Sequence, residues 1–205
     1  MVDEMKSVHQ TREQWLSAAT TIFRDWFSAL NYDLPKLIRV SVGFPSRNAL
    51  SNRNRAIGQC WSAPESSPDG SCHIFISPVL GDALRVADVL IHELCHASTK
   101  DHGHRSAFKQ VAVAMGLTGK MTATEATPEL VRRLDGVMKQ LGEYPHSVLD
   151  PKNSPMKKAR TRLLKAECSG GKRSGCGYII RVTQKWIDSS GLPTCPCGEE
   201  FEVMS

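Results

Sequence analysis

The stretch VLIHELCHASTKDHGHRSAF, from Val89 to Phe108, carries four histidines: His92, His96, His102 and His104. It constrains the fold more than any other segment. The residues DALRVADVLIHELCHAS repeat apolar side chains at helical spacing through Leu84, Ala87, Leu90, Ile91, Leu94 and Cys95. Asp82 is placed to cap that helix. His92 and His96 are four residues apart on it, so both imidazoles leave one face and can share one metal ion. Glu93 lies one residue on, about 100° round the helix. That turns it toward water beside the metal rather than toward a ligand position. Two imidazoles and a carboxylate in H-E-x-x-H spacing supply what a hydrolytic zinc site needs: two ligands and a general base.

A catalytic zinc usually takes three protein ligands and keeps one position open. His102 stands at the spacing of the pattern H-E-x-x-H-x-x-G-x-x-H, but Thr99 occupies its glycine position. His104 follows Gly103, where the backbone can swing back. It precedes a second helix, SAFKQVAVAMG, whose Phe108, Val111, Ala112 and Met115 share a face. Glu125 or Glu129 is a third option. The glycine favours His104 and leaves His102 as a loop residue near the cleft.

Upstream, TREQWLSAATTIFRDWFSAL reads as a helix. Thr11 and Gln14 have capping-box spacing, and Trp15, Ala19, Ile22, Phe23, Trp26, Phe27 and Leu30 form an apolar face. Strand candidates are LIRVSVGF, RAIGQCW and CHIFISP, with the turn-rich APESSPDG between the last two. TPELVRRLDGVMKQLG is a further helix, with Thr127 as cap, Pro128 in its first turn and Gly142 after it. EYPHSVLDPKNSPMKKAR has three prolines and no period, which suggests a linker.

Four of the seven cysteines, Cys168, Cys176, Cys195 and Cys197, fall near the end of the chain. They form two pairs around a strand-like YIIRVT, the outline of a four-cysteine structural zinc site, although neither pair has the usual C-x2-C spacing. A segment this short with few large apolar side chains needs such a staple. Trp186, Ile179 and Phe201 are the expected small core around it. Cys60, Cys72 and Cys95 read as buried thiols, with Cys95 turned away from the histidine face.

The net charge is only +5, but between Pro151 and Lys185 the sole acid is Glu167. The basic side chains there include Lys157, Lys158, Arg160, Arg162, Lys172, Arg173, Arg181 and Lys185. A solvated linker explains such a run, and so does a footprint for the phosphates of nucleic acid. No run approaches the ~20 apolar residues of a membrane helix. The N-terminal MVDEMKSVHQTREQW lacks the apolar segment of a secretory signal. The expectation is a cytoplasmic protein with no membrane partner.

HELCHA followed by GHRSAF resembles the SprT-like metalloprotease domain, whose pattern is H-E-x-x-H-A, a variable loop, then G-H-G-x-x-F. Eukaryotic Spartan proteases share that pattern. IFISP, GLTGKMTATEATPEL and TQKWID with GLPTCPCG are similar to the SprT-like proteins of bacteriophages and their hosts. The resemblance runs from about Trp15 to Glu200. It implies zinc ligands His92, His96 and His104, and Glu93 as the catalytic carboxylate. Arg105 departs from it, standing where the family usually has glycine. The resemblance also implies an α+β fold: a mainly helical zincin-like metalloprotease domain with a small β-sheet, and a small C-terminal β zinc ribbon.

The expected domains are 1–145 for the metalloprotease, 146–160 for a basic, proline-containing linker and 161–205 for the ribbon. Two Zn2+ ions are implied, one catalytic and one structural. The expected activity is zinc-dependent endopeptidase action on proteins bound or crosslinked to DNA, in a bacterial or phage-infected cell. The competing reading is a non-catalytic, transcription-associated protein that binds nucleic acid through a zinc ribbon.

Overall fold

Thr11 opens the first helix of the computed structural model, which describes residues 8–62, 67–99, 103–153, 163–170 and 176–204. The chain divides into two compact units, Met1–Asn153 and Ser154–Ser205. Both mix helices with small sheets, so the architecture is α+β.

Helix α1 (Arg12–Ala29) has the reciprocal cap that its sequence predicts. Thr11 Oγ1 accepts from the Gln14 N–H, and the Gln14 side chain accepts from the Thr11 N–H. Trp15, Ala19, Phe23 and Phe27 recur every fourth residue and are fully buried. Trp26 lies at the margin, under the guanidinium of Arg133 at 4.0 Å from its ring centre.

Three strands follow: β1 (Ile38–Val42), β2 (Gly58–Trp61) and β3 (Cys72–Ile76). Their order is β1–β3–β2, with β1 parallel and β2 antiparallel to β3. Alternation along β3 sends Cys72, Ile74 and Ile76 into the core. Helix α2 (Ala83–Ser98) packs on β2 and β3. It starts where Asp82 accepts from the Arg85 N–H at 2.7 Å.

Helix α3 (Ser106–Ala114), the hairpin β4 (Leu117–Lys120) and β5 (Ala123–Ala126), and helix α4 (Pro128–Leu141) complete the first unit. Ile74, Leu90, Leu94, Phe108 and Met115 meet the α1 aromatics in one core. Each such buried side chain contributes about 1.5–3 kcal/mol.

Residues 145–149, read from sequence as the end of the domain and the start of a linker, are tied to this unit. The buried Arg12 guanidinium donates to the carbonyls of Pro145 (2.8 Å), Pro78, His146 and Ser147 (each 3.1 Å). The Leu149 N–H donates to Pro78 O at 3.0 Å.

The second unit holds β6 (Leu163–Cys168), β7 (Ile179–Thr183), the two-turn helix α5 (Gln184–Ser190) and β8 (Phe201–Met204). Strand β6 is central, antiparallel to both neighbours. Its core is Ala166, Cys168, Cys195 and Phe201, with Cys176, Ile180 and Leu192 packed around them. This corrects the expected core. Strand alternation turns Ile180 inward, which leaves Ile179 46% exposed, and Trp186 on α5 is 57% exposed. No helix among the described residues is long and apolar enough to cross a membrane.

Candidate metal centres

Helix α2 presents His92 and His96 one turn apart, and the turn before α3 brings in His104. One ligand nitrogen from each lies within 4.8 Å of the others. His104 Nε2 is 3.2 Å from His96 Nε2 and 3.3 Å from His92 Nε2. Nitrogens bound about 2.0–2.1 Å from one tetrahedral ion lie about 3.3–3.4 Å apart, so the spacing fits a shared metal. The donor chemistry fits as well. Burial, with His96 and His104 adding to it, holds His92 down at about 3, and burial lowers His104. Neutral imidazoles are the ligand form.

The three rings stand against one fully buried phenyl ring. Their centres lie 4.9, 4.3 and 4.9 Å from that of Phe108 for His92, His96 and His104 respectively. Arg105 follows with φ −85°, a backbone conformation open to any residue, so the absence of glycine there puts no strain on the turn. His102 lies outside the described residues. Glu129 is exposed and pairs with Arg132. Glu125 is exposed on β5. Neither belongs to the histidine cluster.

Glu93 is only 5% exposed. Burial, with the Cys72 thiol adding to it, pushes its carboxyl up to about 8. It lines a cleft of about 380 Å³ together with the three histidines. β2 lines that cleft at Gly58, Gln59 and Cys60, and the β4–β5 hairpin lines it at Thr122, Ala123 and Thr124. Gly58 packs on Glu93 with no room for a side chain. Cys60 Sγ lies 3.5 Å from Cys72 Sγ on β3, and that contact, with burial adding to it, raises the Cys60 thiol. Cys95 is buried on α2 and outside the histidine group, as its helix position predicts.

Cys168, Cys176, Cys195 and Cys197 form the second cluster, their sulfurs within 4.8 Å of one another. The Cys168–Cys197 and Cys176–Cys195 contacts are both 3.4 Å. Four thiolates about 2.3 Å from one zinc lie about 3.8 Å apart, close to this arrangement. Backbone N–H groups two residues on point at three of the sulfurs: Gly170 at Cys168, Cys197 at Cys195 and Glu199 at Cys197. Such donors stabilise thiolate. The Glu199 N–H leads the causes that hold Cys197 down at about 7. Gly198, at φ +92°, makes the turn that aims it. The close C-x-C spacing therefore builds a thiolate-binding turn.

Of the basic candidates, Arg181 on β7 and Lys185 on α5 are exposed, and Lys185 Nζ lies 5.3 Å from the Trp186 ring centre. Lys157, Lys158, Arg160, Arg162, Lys172 and Arg173 lie outside the described residues.

Two cleft residues escape the sequence reading. Gly58 carried an available signal, since a glycine inside a strand often marks close backbone approach. Thr124 carried none, because its hairpin has no strong strand pattern. Its Oγ1 lies 2.8 Å from His92 Nδ1. Comparison of the chain with models of protein families, with curated proteins and with solved structures gives no significant match.

Proposed function

We propose that this chain is a zinc-dependent endopeptidase of the SprT-like type, with a zincin-like first unit and a zinc-ribbon second unit that engages DNA. The observation that carries the reading is the convergence of three imidazole nitrogens in a cleft that also holds a buried glutamate from the same helix. A purely structural site has no need of a carboxylate buried at such cost.

Zinc held by His92, His96 and His104 supplies Lewis acidity toward a carbonyl and lowers the pKa of water. Glu93 is the proton carrier: its carboxylate accepts a proton from the attacking water and returns it to the leaving nitrogen. A divalent charge in the same cleft counters the burial that raises Glu93, favouring the ionised base. Strand β2 pairs with β3 on one side only, and an extended substrate segment can add along its other edge. On the second unit, the exposed Trp186 offers a stacking face beside Lys185 and Arg181. With the basic residues of the linker, these suit a substrate held on DNA in the cytoplasm.

The test is a metal count joined to a cleavage assay on a DNA-bound protein, with and without DNA. The reading expects two zinc ions per chain, one of them lost in His104→Ala. Glu93→Gln keeps both ions and loses cleavage. A single zinc ion, indifferent to His104→Ala, supports the non-catalytic nucleic-acid-binding alternative instead.

A further inference from the structure

We infer that Thr124 is a positioning residue for the histidine centre: its hydroxyl receives the Nδ1–H of His92 and so leaves Nε2 bare toward His96 and His104. The inference rests on the proposed metal site and adds to it a device that sets one ligand's tautomer and aim.

The contact is 2.8 Å long, and Thr124 is 5% exposed, so water competes little for it. A neutral imidazole has one bare nitrogen, and the bond made by the other decides which nitrogen that is. His92 Nε2 is the atom that faces His104 at 3.3 Å, which assigns the proton to Nδ1. The threonine oxygen is then the acceptor.

Thr124 is itself held in place. Arg85 Nη1 donates to the Thr124 carbonyl at 3.2 Å and to both carboxylate oxygens of Asp88 at 2.8 Å each. Asp88 is 7% exposed. Arg85, Asp88, His92 and His96 follow one another at spacings of three, four and four along α2, a single helical stripe. The helix that carries two ligands also carries the clamp that anchors the hairpin supporting one of them. Pairing of Thr124 with Gly119 across the β4–β5 hairpin sets the strand register that makes this possible.

The test uses the full chain and two variants. Thr124→Val keeps the branched shape and the strand preference but removes the acceptor. Thr124→Ser keeps the hydroxyl. Zinc affinity is measured by chelator competition, with the four-cysteine site as the internal reference. The His92 ring tautomer is read from its 15N resonances with the histidine site emptied of zinc, since a metal on Nε2 would itself fix the proton on Nδ1. Thr124→Val is expected to weaken the histidine-site zinc about 10–100-fold and to mix the His92 tautomers, with the cysteine-site zinc unchanged. Thr124→Ser is expected to restore both readouts. Two zinc ions bound at wild-type affinity in Thr124→Val, with the tautomer unchanged, overturn the positioning role alone. One zinc ion in the wild-type chain, unaffected by His92→Ala, overturns the metal site and this role with it.

Discussion

Gly58 on β2 and Glu93 on α2 approach so closely that a methyl group on Gly58 would lie 2.9 Å from both Cγ and Cδ of Glu93. Real side chains do not tolerate that distance, so Gly58→Ala must turn the carboxylate away or push the strand outward. Misplacing a catalytic group by about 1 Å can cost about 100-fold in rate. Gly58→Ala is therefore expected to lower peptide cleavage at least about tenfold while both zinc ions stay bound. Cleavage at the wild-type rate would remove Glu93 from the mechanism proposed above.

Among the described residues the second unit has four buried core residues, two of them cysteines. Ala166 and Phe201 alone bury too little to hold three short strands together. Cys195→Ser, or a strong chelator, is expected to unfold residues 163–204 and leave the first unit folded. Structural zinc contributes about 10 kcal/mol or more in small zinc-dependent modules. Limited proteolysis followed by mass spectrometry checks this: rapid cleavage confined to the C-terminal unit is the expected pattern. Resistance of that unit without zinc would show that its packing suffices.

Tyr144 places its ring edge-on to Trp15, with centres 5.1 Å apart, and under the Arg12 guanidinium. Its hydroxyl is buried with no hydrogen-bond partner among the described residues. Tyr144→Phe keeps the ring and removes the orphan, so stability at pH 7 should change by less than about 1 kcal/mol. Trp15→Ala, by contrast, should cost about 3–5 kcal/mol. Burial also pushes the Tyr144 phenol up to about 12 from its ordinary 10. Between those values the unfolded chain has released the proton and the folded chain has kept it. Stability contributed by the neutral phenol is thus present below pH 10 and lost as pH rises toward 12. Denaturant titrations at pH 9 and pH 11 should show a steeper alkaline loss in the wild type than in Tyr144→Phe. Equal losses would mean that the phenol titrates normally.

Arg12 bonds four carbonyls from two separate stretches of chain, Pro78 and Pro145–Ser147. Arg12→Met leaves those acceptors without their donor in a buried place, at a cost of at least about 2 kcal/mol. Arg12→Lys should recover only part of this, since an ammonium cannot spread donors over a planar fork. Chemical denaturation of the three proteins checks both expectations. A full rescue by lysine would reduce the role of Arg12 to charge.

Much of this was legible beforehand because it depends on neighbours in sequence. The caps at Thr11, Asp82 and Thr127 and the helices behind them follow from local spacing, and so does the shared face of His92 and His96. The glycine before His104 pointed to it, and His104 joins the other two histidines, while His102 lies outside the described residues. What stayed hidden depends on strand register. The run TGKMTATE offers no apolar alternation, so nothing in it announces a hairpin or places Thr124 beside His92. Ile179 and Ile180 are equally apolar, and only pairing with β6 decides which faces inward. The indole of Trp186 looks like core by composition, yet among the described residues none covers it, and it stays 57% exposed on the two-turn α5.

Phe108 ties the site to the core. One phenyl ring backs all three imidazoles, and it belongs both to the helix that follows His104 and to the central core. The arrangement of the three nitrogens therefore depends on α3 being docked against the hydrophobic interior. The geometry of this histidine group is thus tied to the packing of the core.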